Sequence, residues 1–358
     1  MMTSRERVER ALCHREADRI PRAESFWPET VPLWHEQGMP EGADLYDLFG
    51  YDIAGAGWVN HEARPGFLDV LDETDEWVAR QDGHGAVLRY WKHKSGTPEH
   101  VSFTVDSPEA WRAHKKEILA VPVERRVDAE AALAAQALAR SRNQWFAWTG
   151  VECFEMAKDI IGHERMCTAM MDDPEWMADV YDTLADLAVS ALDYLASRGV
   201  QYDGAWMYGD IAYNHGPFLS PRMYRDLVMP AHRKQIGWFK QRELKVIYHT
   251  DGDFRPLLPS FLEAGVDCLQ PLEAKAGIDV RELKPKHGDT VAFMGNINAM
   301  VLLTNDRDAI ETEVSRKVPM AMRGGGYIYH SDHSIPPGVT WETYRFLMDL
   351  VERYGRFD

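Results

Sequence analysis

From Trp145 onward the chain alternates two hydrophobic patterns. Short apolar or β-branched runs, Trp145–Val151, Ala205–Ile211, Lys245–His249, Cys268–Leu272, Thr290–Met294 and Gly326–Tyr329, have the length and composition of buried strands. Between them lie amphipathic, charge-rich stretches that predict helices over Pro174–Ser197, Pro221–Gln241, Phe254–Ala264, Val280–Lys286 and Asp306–Arg323. Several open on Asp, Ser or Pro, residues that cap or pre-form a first helical turn. Strand and helix in steady succession imply parallel pairing, because each crossover returns the chain to the same edge. No Ser/Gly linker interrupts the run, so the pattern predicts an α/β fold closed into a (β/α)₈ TIM barrel, one domain spanning residues 1–358. The earlier part reads as an N-terminal extension followed by a β-rich insertion over residues 62–105, with turn signals at Asp82-Gly83 and Ser95-Gly96.

A parallel barrel presents its reactive groups at the C-terminal ends of the strands. That rule selects Glu152 and Glu155, Asp210, His249 with Asp251 and Asp253, Gln270 with Glu273, Asn296 with Asn298, and His330 with Asp332 and His333. Each has a plain structural alternative. Asp251 can cap the helix that starts near Phe254, His333 can be a hydrogen-bonded loop histidine, and Asn296 and Asn298 can be turn residues. Glu155 and Asp210 are candidate acid–base groups or else solvated carboxylates. The aromatics Phe26, Trp27, Trp58, Trp148, Trp206 and Tyr208 either pack the barrel or line an apolar pocket. Gly324–Gly326 precedes a strand, whereas phosphate loops follow one, so it predicts close backbone approach instead of phosphate binding.

Composition narrows the partners. The formal charge of −17 on 358 residues opposes binding to nucleic acid or to anionic lipid, both of which require clustered cations. No segment approaches the roughly 20 apolar residues of a membrane span, and the stretch from Met1 to Arg22 is charged where a signal peptide would be apolar, which predicts a cytoplasmic protein. Cys13, Cys153, Cys167 and Cys268 are scattered, without the spacing of a disulfide framework or a thiolate zinc site. The oligomeric state is open, a homodimer included.

Motifs along nearly the whole chain resemble the uroporphyrinogen decarboxylase-like superfamily. They are Thr3-Ser4-Arg5-Glu6-Arg7-Val8 through Asp18-Arg19-Ile20-Pro21, then Leu219-Ser220-Pro221, His249-Thr250-Asp251-Gly252, Gly265-Val266-Asp267, Gly288-Asp289, Phe293-Met294-Gly295-Asn296-Ile297, and Gly324-Gly325-Gly326-Tyr327-Ile328 running to His333. The resemblance implies a TIM barrel and one of two chemistries. Decarboxylases of the family pair the carboxylate arms of a tetrapyrrole with an arginine-rich segment near the N-terminus. Here the corresponding stretch is Ser25-Phe26-Trp27-Pro28-Glu29-Thr30-Val31-Pro32, aromatic and acidic where guanidinium groups are needed. Asp52 matches the family's pyrrole-binding aspartate, while Lys158 stands where its tyrosine is expected.

The other branch consists of methyltransferases that work with a corrinoid protein, some through zinc held by a His-x-Cys pair and a later Cys. Those positions align with His249, Asp251 and His333, a harder ligand set that still leaves an open position. The resemblance therefore implies a methyltransferase that demethylates a methoxylated or methylamine-type small molecule, and the aromatic residues favour an O-methyl substrate. Its zinc would sit on His249, Asp251 and His333, and its corrinoid would arrive on a separate protein, since no Asp-x-His-x-x-Gly corrinoid motif is present. Glu155, Asp210, His249 and His333 are the expected catalytic groups, with Asp52, Trp27, Trp206, Tyr208, Gln270, Asn296 and Asn298 around the substrate. The alternatives are a decarboxylase acting on another carboxylate and a non-catalytic tetrapyrrole binder.

Overall fold

The computed structural model describes residues 2–93 and 96–357, so Ser95 of the second turn signal lies outside the described residues. Seven strands form one parallel sheet in sequence order. They are β1 (Ile53–Ala56), β2 (Trp145–Val151), β3 (Gly204–Tyr208), β4 (Lys245–His249), β5 (Cys268–Gln270), β6 (Ala292–Met294) and β7 (Tyr327–Ile328). Beyond the two outer strands, the segment from Pro21 to Ala23 hydrogen-bonds in both directions. Tyr329 N donates to Pro21 O at 2.8 Å and Ala23 N to Tyr329 O at 3.0 Å, while Asp52 N donates to Arg22 O at 2.7 Å.

Side chains alternate between the two faces of the sheet, as a period of two requires. One face carries Trp145 and Ala147, Trp206, Ile247, Cys268, Ala292 with Met294, and Ile328, which pack as a separate small cluster with Val8, Ala11 and Leu12 of the helix Ser4–Leu12. The other face, with Phe146, Trp148, Met207, Val246, Tyr248, Leu269 and Phe293, packs against the surrounding helices in the main core. The inward row does not stop at the apolar cluster. Two residues further along each strand it reaches Tyr208 on β3, His249 on β4, Gln270 on β5 and His330 after β7.

Several strands end earlier than the hydrophobic runs suggest. Gly209 N still donates to His249 O at 3.1 Å, and beyond it the backbone leaves the ladder for side-chain acceptors: Asp210 N donates to Glu155 Oε2 at 3.1 Å and Ile211 N to Thr250 Oγ1 at 3.2 Å. The helix predicted over Pro221–Gln241 is found from Pro221 to Lys240, and it widens at Tyr224–Val228, next to Pro230, which has no N–H for the ladder. Gly325 adopts φ +79°, and a Cβ there would come within 2.5 Å of the Arg15 backbone, so the glycine run serves close packing.

Between β1 and β2 the chain builds a separate antiparallel sheet from Asp69–Glu73, Trp77–Gln81, Val87–Trp91 and Glu99–Ser102. Its central hairpin is fixed by Asp82, whose carboxylate accepts from the backbone N of His84 and Ala86, and by a 3.0 Å contact between His84 Nδ1 and His114 Nε2. No helix among the described residues is long and apolar enough to cross a membrane.

Asp52 is not a cavity residue. It precedes β1, at the end of the sheet opposite to the one where β4 delivers His249, and its fully buried carboxylate is consumed by Arg19 at 2.7 and 3.0 Å, Arg7 at 3.4 Å and Arg22 N at 2.8 Å. It ties the N-terminal segment to the sheet.

Candidate functional site

The inward row opens into a cavity of about 370 Å³ at the C-terminal strand ends. Tyr208, His249, Gln270 and His330 continue the strands, Asp251 and His333 come from the loops after β4 and β7, and Ser25, Phe26, Trp27 and Pro28 close the side beyond Ala23. The described lining contains no Lys or Arg. Trp27 and His333 lie parallel, 7° between planes and 6.0 Å between centroids, and Tyr208 stacks on Trp206 at 5.4 Å.

Hydrogen bonds determine which nitrogen of His249 is free. Trp206 Nε1, a donor only, points at Gln270 Oε1 at 3.1 Å, so that atom must be the amide oxygen. The same oxygen lies 2.6 Å from His249 Nδ1, which therefore carries a hydrogen. Nε2 is thereby turned towards two carboxylates, 3.5 Å from Asp210 Oδ1 and 3.9 Å from Asp251 Oδ1. Asp251 also reaches the other imidazole, with Oδ2 3.7 Å from His333 Nε2.

The charges are mutually dependent. Burial disfavours the His249 cation, but the bond and charge of Asp210 and the charge of Asp251 outweigh it and push the imidazole up to about 9. For Asp210, burial raises and His249 lowers, and the balance holds the carboxylate below its ordinary range. Asp210 Oδ1 also accepts from the backbone N of Asp251 at 3.0 Å. Asp251 moves the other way, raised by burial and by Asp210 and Glu273 against the pull of His249. Glu155 stands one layer back, with Oε2 accepting from Asp210 N and its other oxygen paired with Lys158. Burial pushes its carboxyl up to about 7, against the opposing Lys158 cation.

The residues present fit a divalent cation. Asp210, His249 and Asp251 bring ligand atoms within 4.8 Å of one another, and Asp251 Oδ1 is a buried oxygen with no hydrogen-bond partner among the described residues. Two carboxylates and an imidazole form the oxygen- and nitrogen-rich donor set that zinc accepts. The geometry puts Asp210 in the position expected of His333, which adjoins the trio through Asp251. A second cluster, Glu152, Cys153 and His232, is differently disposed. There Glu152 is already bonded by the backbone N of Phe154 and Glu155 and by His232, whose other nitrogen is 2.9 Å from Tyr224 Oη, so it is a closed brace under β2.

The structure gathers Trp27, Tyr208, His249, Asp251, Gln270 and His333 around one cavity. Trp206 sits behind, holding Gln270. Asn296 and Asn298 do not join them. Asn296, at φ +73°, spends its amide on Leu272 O, Ile278 O and Val280 N, and Asn298 caps the helix Ala299–Leu302. Sequence reasoning passed over Glu24 and Ser25. Glu24 is buried behind the wall, accepting from Ser331 Oγ at 2.7 Å and Tyr329 Oη at 3.0 Å, and burial pushes its carboxyl up to about 8. The one available signal was their position, immediately before Phe26-Trp27.

The profile of the uroporphyrinogen decarboxylase (URO-D) family matches residues 153–354, more than half of the chain. Similar curated proteins include the uroporphyrinogen decarboxylase of Saccharophagus degradans, 28% identical over 173 residues covering 46% of this chain and 45% of that one. Another is the uroporphyrinogen decarboxylase of Pelobacter propionicus, 26% identical over 203 residues, 56% and 55% of the two chains. The chain thus spans about half the length of the curated relatives it matches. Among solved structures, a methyltransferase from Methanosarcina mazei superposes with a TM-score of 0.69 over 99% of both chains at 16% identity, a likeness of fold.

Proposed function

This chain belongs to the uroporphyrinogen decarboxylase family, and on that premise we propose that it is a methyltransferase moving a methyl group from a small, neutral O-methyl substrate to a corrinoid on a separate protein. The observation that carries the reading is the cavity itself: about 370 Å³, lined by aromatic, imidazole and carboxylate side chains, with no Lys or Arg in its described lining. A tetrapyrrole with many carboxylate arms needs guanidinium groups to desolvate it. A compact methoxylated ring needs a flat apolar wall and a few polar anchors, and this volume is near the small end of ligand pockets.

The sheet supports the frame this requires. We read the Pro21–Ala23 segment as an eighth strand, because its hydrogen bonds reach Tyr329 on one side and Asp52 on the other and so close the sheet into a barrel. In that frame Trp27 and Tyr208 hold the ring, and Gln270 keeps His249 in one tautomer. Asp210, His249 and Asp251 would hold a zinc ion, which when bound withdraws charge from the leaving oxygen as a Lewis acid. His333, whose Nε2 lies 3.7 Å from Asp251, would pass a proton to that oxygen. Stabilising a basic leaving group by charge or proton transfer contributes on the order of 10²–10⁴-fold.

The test is direct. Protein mixed with reduced cobalamin and a methoxylated aromatic compound should form the demethylated phenol and methylated cobalamin in equal amounts. Carbon dioxide release from a small acid, or spectral binding of porphyrins without turnover of any compound, would replace the reading with one of its alternatives.

A further inference from the structure

His330 forms part of the cavity wall, and its hydrogen-bond directions follow from its partners as those of His249 do. Its Nδ1 lies 2.7 Å from the carbonyl oxygen of Ser331, an acceptor only, so Nδ1 carries the hydrogen. Nε2 is then a lone pair, and it faces Ser25 Oγ at 3.3 Å. Burial holds the ring well below its ordinary range, at about 4, so it stays neutral. The Ser25 hydroxyl must therefore donate to His330. Its remaining lone pairs belong to the cavity that Ser25 lines, where it has no other partner among the described residues.

The opposite polarity is presented by Gln270. Its oxygen is taken by Trp206 and His249, which leaves the amide nitrogen as a donor without a partner among the described residues. The wall thus holds an acceptor at Ser25 and a donor at Gln270. A substrate with only ether oxygens satisfies the second and strands the first. One with a hydroxyl group beside its methoxy group satisfies both. Leaving a buried polar group unpaired is costly, and sites built around such groups reject analogues that lack the matching atom.

We propose that Ser25, oriented by His330, is the specificity-determining residue that selects methoxylated substrates carrying a free hydroxyl group. The proposal rests on the methyltransferase reading and adds the class of substrate to it. His330 is the positioning residue.

Calorimetric titration with 2-methoxyphenol and 1,2-dimethoxybenzene tests it. Wild type should bind the phenol about 10-fold or more tightly, as one unpaired polar group implies. Ser25→Ala should bring the two affinities within about 3-fold by weakening the phenol alone. His330→Phe frees the hydroxyl to donate and should shift preference towards the diether, whereas His330→Gln, which can still accept, should restore the wild-type order. Unchanged preference in Ser25→Ala, or equal binding by wild type, overturns the role of Ser25 while leaving the methyltransferase reading standing. Binding of neither compound by wild type overturns both.

Discussion

His249 Nδ1 lies 2.6 Å from Gln270 Oε1, and that contact decides what the opposite nitrogen of the ring can do. Because Trp206 forces the amide oxygen into place, His249 keeps a hydrogen on Nδ1 and turns Nε2 towards Asp210 and Asp251. The pair occupies inward positions on neighbouring strands, where β4 and β5 are in register at these two residues.

Replacing the acceptor should loosen the proposed metal site without touching a ligand. Gln270→Leu leaves His249 free to rotate or change tautomer, and loss of such a supporting bond typically weakens metal binding about 10- to 100-fold. Competition against a zinc chelator measures this. An unchanged affinity would show that Gln270 does not orient the ring.

Glu24 should make the protein less stable as pH rises. Its folded-state carboxyl is raised from 4.5 to about 8, so between those values the folded chain holds a proton that the unfolded chain has released. Stability therefore falls with rising pH through that window and levels off above it. Urea midpoints measured from pH 5 to 8.5 should show a flatter decline in Glu24→Gln than in wild type. Parallel curves for the two proteins would contradict the assignment.

Asp52→Asn is expected to damage the fold and spare the cavity. The buried carboxylate holds Arg7 and Arg19, and removing one partner of such a cluster costs about 3–5 kcal/mol. Chemical denaturation should report that loss, while the folded fraction keeps wild-type affinity for a methoxylated ligand. Impaired affinity at full stability would return Asp52 to the binding site.

Trp27→Ala should weaken an aromatic ligand and leave zinc affinity as it was. Trp27 stacks parallel to His333 and lines the cavity. An aromatic contact adds about 0.5–1.5 kcal/mol beyond its buried area, so the loss should be at least a few-fold in Kd. Calorimetry with 2-methoxyphenol checks it, and an unaltered Kd would place the ligand elsewhere.

How much of this could be read in advance differs between the halves of the chain. Lys245–His249 has β-branched residues, a clear end and an Asp-Gly turn, and the strand is found with those limits. His249, Asp251 and His333 meet because a parallel sheet carries all its strand ends to one rim. Ile53–Ala56 was invisible because two of its four residues are alanine and one is glycine, with only partial burial. Pro21–Ala23 shows no periodicity at all, since its pairing comes from Tyr329 and Asp52, both distant in sequence. Asn296 and Asp52 share a different cause. Residue type and position suggested ligand contacts, but their bonds go to backbone and arginine groups that only the folded chain assembles.

The central claim is that Asp210, His249 and Asp251 hold one divalent ion on which methyl transfer depends. The most direct measurement is metal content by plasma mass spectrometry, on protein purified without chelator, set beside the transfer rate of the same samples. Wild type should carry about one equivalent of zinc, His249→Ala should lose it, and the two should differ in rate by at least about 100-fold. A metal-free wild type that transfers methyl groups at full rate, or a His249→Ala variant that keeps both metal and rate, would contradict the account.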